Sequence, residues 1–317
     1  MHRPRPVRPV IIGTSRALMQ VLRMVSVLAR TREPCLVTGG SGTGKELFVT
    51  LIHVESGRYP LITMNCPGVP DGLFESECFG HVRGAFTGAD RDKPGLIEAA
   101  HGGTFFLDEI ADLSPFHQAK LLRVLETGEV RRVGSNDCRF VDVRIIAATN
   151  KDLWRETAEG RFREDLYARL AVMQIHLPLL RDREGDIPLL LDHFVGLERF
   201  SREAMTVLEA YDWPLNVREL RSAVLGALAQ AGEGPILPTH LPEPIRHPRA
   251  LPALQGTGRT KGRLVTLAEM EREYILQVID HTHGNQVRAA GILGIHRSTL
   301  AGKLREYGWL GAPTDDR

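Results

Sequence analysis

Cys35-Leu36-Val37-Thr38-Gly39-Gly40-Ser41-Gly42-Thr43-Gly44-Lys45-Glu46 decides the fold. The apolar run Cys35–Thr38 reads as a buried strand, and the helical pattern from Lys45 onward reads as the helix it feeds. Between them, Gly39 to Lys45 fits G-x-x-x-x-G-K. Glycines at that spacing let backbone N–H groups close around phosphate oxygens, and the helix N-terminus behind them adds the positive end of its dipole. Lys45 is then placed to reach the β- and γ-phosphates of a nucleoside triphosphate. The Ser or Thr that ordinarily follows this lysine and holds magnesium is Glu46 here.

Three more strands are expected downstream, at Leu61–Asn65, Gly103–Asp108 and Val143–Thr149, with helical patterns between them. Strands alternating with helices imply an α/β architecture, a parallel sheet covered on both faces. The third strand ends in Phe105-Phe106-Leu107-Asp108-Glu109, so a buried segment delivers two carboxylates to the sheet edge. Asp108 is expected to hold Mg²⁺ through its water shell and Glu109 to orient an attacking water. A phosphate loop followed by such a pair predicts ATP hydrolysis, with ATP and Mg²⁺ as cofactors.

Between these two sequences lies Gly84-Ala85-Phe86-Thr87-Gly88-Ala89. Two glycines bracketing an aromatic and a β-branched residue make a poor core segment. They suit a flexible backbone that pushes an apolar tip into solvent toward a partner. The α/β core spans 11–178 after a basic tail at 1–10. Residues 186–231 hold helical patterns and no strand-like run, so 179–244 reads as an all-helical lid. Residues 245–264 carry Arg246, Arg249, Arg259, Lys261 and Arg263 with no acid, and read as a flexible linker.

Residues 265–311 hold three helical segments, followed by a tail at 312–317. Thr266 with Glu269 forms a capping box for the first, and Leu267, Met270, Tyr274, Ile275 and Val278 give it an apolar stripe. Asn285 opens the second, Gly294-Ile295-His296 makes a tight turn, and Arg297 to Tyr307 is the third.

Bulk properties exclude several classes. With 317 residues the chain can build more than one core. Lys+Arg 40 against Asp+Glu 39 leaves a formal charge of +1, so any nucleic-acid contact must be local. Cys35, Cys66, Cys78 and Cys138 form no C-x-x-C pair, which argues for reduced thiols and a cytoplasmic protein rather than a disulfide or metal framework. No signal peptide and no long apolar run appear, so no membrane partner is expected.

Taken together, these motifs resemble the AAA+ domain of bacterial enhancer-binding proteins, the activators that act on RNA polymerase carrying sigma-54. The resemblance covers roughly 11 to 243. It is carried by Gly42-Thr43-Gly44-Lys45-Glu46, the Gly84–Ala89 loop, Phe106-Leu107-Asp108-Glu109, Ala148-Thr149-Asn150, Gly160-Arg161-Phe162-Arg163-Glu164-Asp165-Leu166 and Asn216-Val217-Arg218-Glu219-Leu220. Glu46 is the residue this family shows after the lysine. The resemblance implies that Asn65 restrains Glu109 and that Thr149 and Asn150 sense the γ-phosphate. It implies that Arg163 and Arg169 reach a neighbouring subunit's ATP within a hexameric ring, and that Arg218 is the lid's sensor arginine. It also implies that Gly84, Ala85, Phe86, Thr87, Gly88 and Ala89 contact sigma-54, with Gly128–Gly134 as a second loop coupled to the first. The chain departs from the family at Gly40, where Glu is common, and at Leu215, where Gly is usual. Leu215 lacks glycine's backbone freedom, which puts the lid geometry in doubt.

The C-terminal segments resemble the helix-turn-helix of the factor for inversion stimulation, on Gly284-Asn285, Arg288-Ala289-Ala290, Leu293-Gly294-Ile295, Thr299-Leu300 and Lys303-Leu304. Arg297, Ser298 and Thr299 open the helix where major-groove contacts arise, while Lys303 and Arg305 suit phosphates of double-stranded DNA. Ala301-Gly302 departs from the larger residues usual there. The resulting expectation is a DNA-bound ATPase that remodels sigma-54 polymerase, assembling from a dimer into a ring. With no built-in regulatory domain expected, its input would come from a regulatory protein in trans, from expression level, or from a portion outside this sequence. The alternatives are a DNA-binding regulator or repressor with a vestigial ATPase, and a generic AAA+ motor acting on another protein or on DNA.

Overall fold

Strand β1 (Cys35–Gly39) is an inner strand of a five-stranded parallel sheet, and its last residue begins the phosphate loop. This computed structural model describes residues 7–246 and, further on, 271–309 apart from 273, 277, 280, 281, 283 and 308. The chain divides into two units, Met1–Arg249 and Ala250–Arg317.

In the first unit, α1 (Arg16–Ala29) precedes β1, and α2 (Lys45–Ser56) follows the phosphate loop. Next come β2 (Leu61–Asn65), α3 (Asp71–Phe79), the short strands β3 (Gly80–His81) and β4 (Lys93–Pro94), α4 (Leu96–Ala99) and β5 (Thr104–Asp108). Helix α5 (Pro115–Thr127) leads into a β-ribbon of β6 (Glu129–Arg131) and β7 (Cys138–Phe140). Then follow β8 (Arg144–Thr149), α6 (Leu153–Ala158), α7 (Glu164–Leu170) and β9 (Met173–Leu177). The sheet order is β2-β5-β8-β1-β9.

Successive residues of a strand point to opposite faces, and both faces here are covered. Leu36, Phe105, Leu107 and Ala147 join one buried cluster, whereas Val37, Phe106, Ile146 and Ala148 join another that includes Leu18 and Phe48. That is why these strands read as unbroken apolar runs. The fifth strand, β9, was not among those expected from sequence. It lies at the sheet edge, buries only Ile175 and Leu177 fully, and exposes Gln174 and His176. Two other strands start one residue later than expected, at Thr104 and Arg144.

The helical segment after β9 contains α8 (Asp186–Val195), α9 (Arg202–Ala210), α10 (Asn216–Ala231) and α11 (Glu243–Arg246), packed around Leu191, Leu208, Trp213, Leu220 and Val224. The linker expected at 245–264 begins inside α11, and the rest of it lies outside the described residues. Among the described residues, no helix is long and apolar enough to cross a membrane.

A strap before α1 joins core and lid. Ile11 packs into the core cluster and Ile12 into the lid cluster. The Asp186 carboxylate, fully buried, accepts hydrogen bonds from Thr14 N (2.6 Å), Ser15 N (2.9 Å), Ser15 Oγ (2.9 Å) and Arg183 Nε (2.8 Å). Arg183 Nη2 also donates to Ile12 O at 2.6 Å. Gly13, at φ +137°, leaves room for this approach, since a Cβ there would stand 2.3 Å from Asp186 Oδ2.

In the second unit, helix Gln286–Leu293 is capped by the Asn285 side chain, which accepts from Arg288 N at 3.1 Å. It ends at Gly294, in the left-handed region at φ +65°, and helix Arg297–Glu306 follows. Ile275, Val278, Ala289, Ala290, Leu300 and Leu304 form the core. Tyr274, expected within the apolar stripe, is instead 55% exposed. Thr266, Leu267, Glu269 and Met270 lie outside the described residues.

Burial pushes the Asp186 carboxyl up, but Arg183 and the donors of Thr14 and Ser15 outweigh it, so the group sits below its ordinary value. Its stabilisation is therefore complete above the unfolded value of about 3.9 and is lost as pH falls through the lower folded value. Asp186→Ala strands the buried Arg183 charge and should cost about 3–5 kcal/mol at neutral pH. Denaturant unfolding should show that gap narrowing in acid, and an unchanged midpoint at neutral pH would refute the latch.

Candidate functional site

The strand ends, the phosphate loop and the lid enclose a cavity of about 720 Å³ lined by Gly42, Lys45, Glu46, Asp108, Glu109 and Arg218, among others. Lys45 is 8% exposed; its Nζ donates to Gly39 O at 3.1 Å and lies 3.6 Å from Glu109 Oε1. Thr43 is buried and its Oγ1 donates to Gly40 O at 2.8 Å, so the hydroxyl braces the loop from within. Gly44, at φ +98°, starts α2. Glu46 sits exposed in the first turn of that helix, where a carboxylate is favourable against the helix dipole.

Asp108 and Glu109 leave the end of β5 side by side. Burial, and then the neighbouring Glu109 charge, raise the Asp108 carboxyl above its ordinary value. Glu109 is left-handed at φ +51°, and its Oε2 accepts from Asn150 N at 3.1 Å. Strain of this kind in a non-glycine residue concentrates at functional sites. The Glu109 carboxylate is thus held by Lys45 and by the backbone N–H of Asn150. Asn65 lies in register with Asp108 at the end of β2. Thr149 is fully buried and its Oγ1 accepts from Lys151 N at 3.0 Å, which leaves exposed Asn150 as the member of that pair with a reachable side chain.

The lid meets the phosphate loop directly. Arg218 Nη1 donates to Ser41 Oγ at 3.1 Å. Asn216, buried and left-handed at φ +54°, donates from Nδ2 to Ser41 O at 2.9 Å, while its Oδ1 accepts from Leu180 N at 2.8 Å. Leu215 takes an ordinary φ of −101°, and the left-handed backbone falls on Trp213 and Asn216, so the missing glycine costs nothing there. Asn216, Arg183 and Asp186 were not identified from sequence as site-building residues. Their partners lie far along the chain, and the one sequence signal is Asn216's position two residues before Arg218.

Arg163 and Arg169 do not line this cavity. Arg163 directly precedes α7 and is exposed, with Nε and Nη2 forked onto Asp165 at 3.0 and 2.6 Å. Arg169 Nε is 3.8 Å from Glu126 Oε1.

The Gly84–Ala89 loop folds on itself, with Gly84 N donating to Ala89 O (2.9 Å) and Ala89 N to Phe86 O (3.0 Å). Phe86 is 42% exposed, and its ring meets that of His81 edge-on at 5.0 Å. The tip expected to stand free in solvent is therefore half held. Val82 N donates to Val133 O and Val133 N to Gly80 O, which ties this loop to the segment beyond β6.

In the second unit, Arg297, Ser298 and Thr299 are exposed at the start of their helix. Lys303 is bound to Glu271 at 2.8 Å, and Arg305 Nε donates to Ala301 O at 3.2 Å.

Comparison with known proteins gives three family matches: Sigma-54 interaction domain over 11–176, AAA+ ATPase lid domain over 181–253, and Bacterial regulatory protein, Fis family, over 266–307. Transcriptional regulatory protein ZraR of Salmonella typhimurium is 44% identical, over 93% of this chain and 68% of its own. Regulatory protein AtoC of Escherichia coli is 42% identical, over 94% of this chain and 68% of its own. The structure of NtrX from Brucella abortus in complex with ATP superposes with a TM-score of 0.68 at 35% identity, covering 95% of this chain and 70% of that one.

A Cβ on Gly42 would stand 2.1 Å from Leu215 O. Gly42→Ala must push the lid off the phosphate loop and should weaken binding of a fluorescent ATP analogue about tenfold or more, a shift of roughly 1.4 kcal/mol. Wild-type affinity in that titration would show that the close approach is not needed for binding.

Proposed function

The chain belongs to the family of sigma-54-dependent transcription regulators, with an AAA+ nucleotide-binding core and lid and a Fis-type DNA-binding helix-turn-helix, and on that premise we propose that it hydrolyses ATP to remodel sigma-54 polymerase into an open complex. The observation that carries this reading is the convergence of Lys45, Asp108, Glu109 and Arg218 on one cavity. Backbone N–H groups of Gly40–Gly44 and the Lys45 ammonium would receive the phosphates. The apolar end of the cavity, with Ile12, Leu190 and Phe194, would take the base. Glu109 would accept a proton from the attacking water, and Asn150 and Arg218 would read the γ-phosphate.

The donor set also fits Mg²⁺. Two adjacent carboxylates, with Asp108 raised by burial and then by its neighbour's charge, would suit a divalent cation. Asp108 would hold it through water, and when bound the ion supplies charge neutralisation on the β- and γ-phosphates.

Arg163 and Arg169, exposed and away from their own cavity, would serve a neighbouring subunit in a ring assembled from dimers. Phe86 and Thr87 would contact sigma-54. Arg297, Ser298 and Thr299 would enter the major groove of enhancer DNA, with Lys303 and Arg305 toward phosphates. A regulatory protein acting in trans could set when the ring forms, and the cytoplasm would be the site of action.

Phe86→Ala should leave ATP hydrolysis near wild type yet abolish open-complex formation in a purified sigma-54 transcription assay. Normal transcripts from this variant would sink the loop's assigned role. An arginine supplied in trans raises hydrolysis by about 10³–10⁵ in other systems. Lys45→Ala and Arg163→Ala subunits, each inactive alone, should therefore regain ATPase activity on mixing. Silence at every mixing ratio would count against the trans arginine.

A further inference from the structure

His81 has no role in the nucleotide cavity, yet it is 8% exposed and is the aromatic neighbour of Phe86. Its Nδ1 lies 2.7 Å from Ser76 Oγ, on α3, and Ser76 is itself 4% exposed. On the other side the rings of His81 and Phe86 meet at 5.0 Å, inclined by 67°. The backbone of His81 bridges to Val133, and a Cβ on Gly134 would meet Ala85 Cβ at 2.7 Å. The imidazole is therefore fixed by Ser76 of α3 and its backbone by the second loop, while the Phe86 ring it supports is 42% exposed.

Helix α3 begins shortly after Asn65, through the single turn Cys66–Gly68. Asn65 lies beside Asp108 in the sheet. Ser76, on that helix, bonds His81 and so connects it to the segment that leaves the carboxylate edge of the sheet. An edge-on aromatic pair is strong enough to bias a loop and weak enough to be exchanged for another partner.

We propose that His81 is a positioning residue that parks Phe86 through ring contact, so that Phe86 must leave His81 to engage sigma-54. This rests on the assignment of the Gly84–Ala89 loop as the sigma-54 contact. Removing the ring relieves the competition. His81→Ala should raise the affinity for sigma-54 without nucleotide by about two- to tenfold, the range an aromatic pair supports, and make binding less dependent on ATP. ATP hydrolysis should stay at the wild-type level.

Two further variants separate ring contact from simple packing. His81→Asn can keep the bond to Ser76 but has no aromatic ring, and should behave like His81→Ala. Ser76→Ala combined with His81→Phe keeps a ring without stranding a buried hydroxyl, and should restore wild-type behaviour. The measurements use the full chain: hydrogen–deuterium exchange of the peptide spanning 82–90, sigma-54 binding with and without ATP, and ATPase rate. Faster exchange and nucleotide-independent binding in His81→Ala and His81→Asn, both reversed in the double variant, are expected. Wild-type exchange in His81→Asn, or failure of the double variant to restore protection, would overturn the proposal. If His81→Ala fails to fold, His81→Asn and the double variant decide it. Wild-type protein that never binds sigma-54 would refute the functional reading, while the exchange measurement would still judge His81.

Discussion

A nearly buried ammonium must have a partner, and that requirement on Lys45 organises the site. Its two neighbours are the Gly39 carbonyl, where β1 becomes the phosphate loop, and the Glu109 carboxylate, just beyond β5. Strand β8 lies between those strands, and the Asn150 N–H beyond its end donates to the same carboxylate. A single charge thereby pins three strand ends at the carboxyl edge of the sheet, where open α/β sheets bind their ligands. Glu109 reaches this position with a left-handed backbone. Phosphate oxygens entering the cavity would compete for Lys45 and free Glu109 to face water, so the resting ion pair and the catalytic arrangement would exclude one another.

What could be read in the sequence follows from how local each interaction is. The inner strands were legible because Leu36, Phe105, Phe106 and Ala147 are buried on two faces and leave unbroken apolar runs. The phosphate loop was legible because its glycines and lysine act within one turn. Strand β9 was not, since an edge strand with exposed Gln174 and His176 has no such run. The Asp186 latch could not be found either. Its partners Thr14 and Ser15 are brought up by the strap from the far end of the unit, and nothing in Gly185-Asp186-Ile187 announces them. Leu215 was misjudged for a related reason: the backbone special to that turn sits one residue later, on Asn216, whose side chain compensates by bonding Ser41 and Leu180.

The second unit makes the same point with opposite outcomes. The Asn285 cap and the Gly294 turn depend on neighbours within a few residues, and both are present. Lys303 looked free as a phosphate contact because Glu271 is distant in sequence, but in the folded unit the two are paired. An exposed pair of that kind is weak enough to open. Among the described residues, Arg297 and Thr299, which open the helix, are exposed without such a pair.

The lid touches the phosphate loop through Arg218 and Asn216 and is tied to the strap through Asp186 and Arg183, while its own apolar cluster keeps its helices together. A body with an independent core and polar contacts at its edge moves as a unit when one contact changes. Ser41 accepts from both Asn216 and Arg218, so any ligand that reorders the phosphate loop changes two lid contacts at once. The strap resists at the opposite side, because breaking the Asp186 bonds would expose a buried ion pair at a cost of several kcal/mol. The lid is therefore held at two places, by Arg218 and Asn216 at the phosphate loop and by Asp186 and Arg183 at the strap, and only the first set of contacts touches the loop that would receive the phosphates.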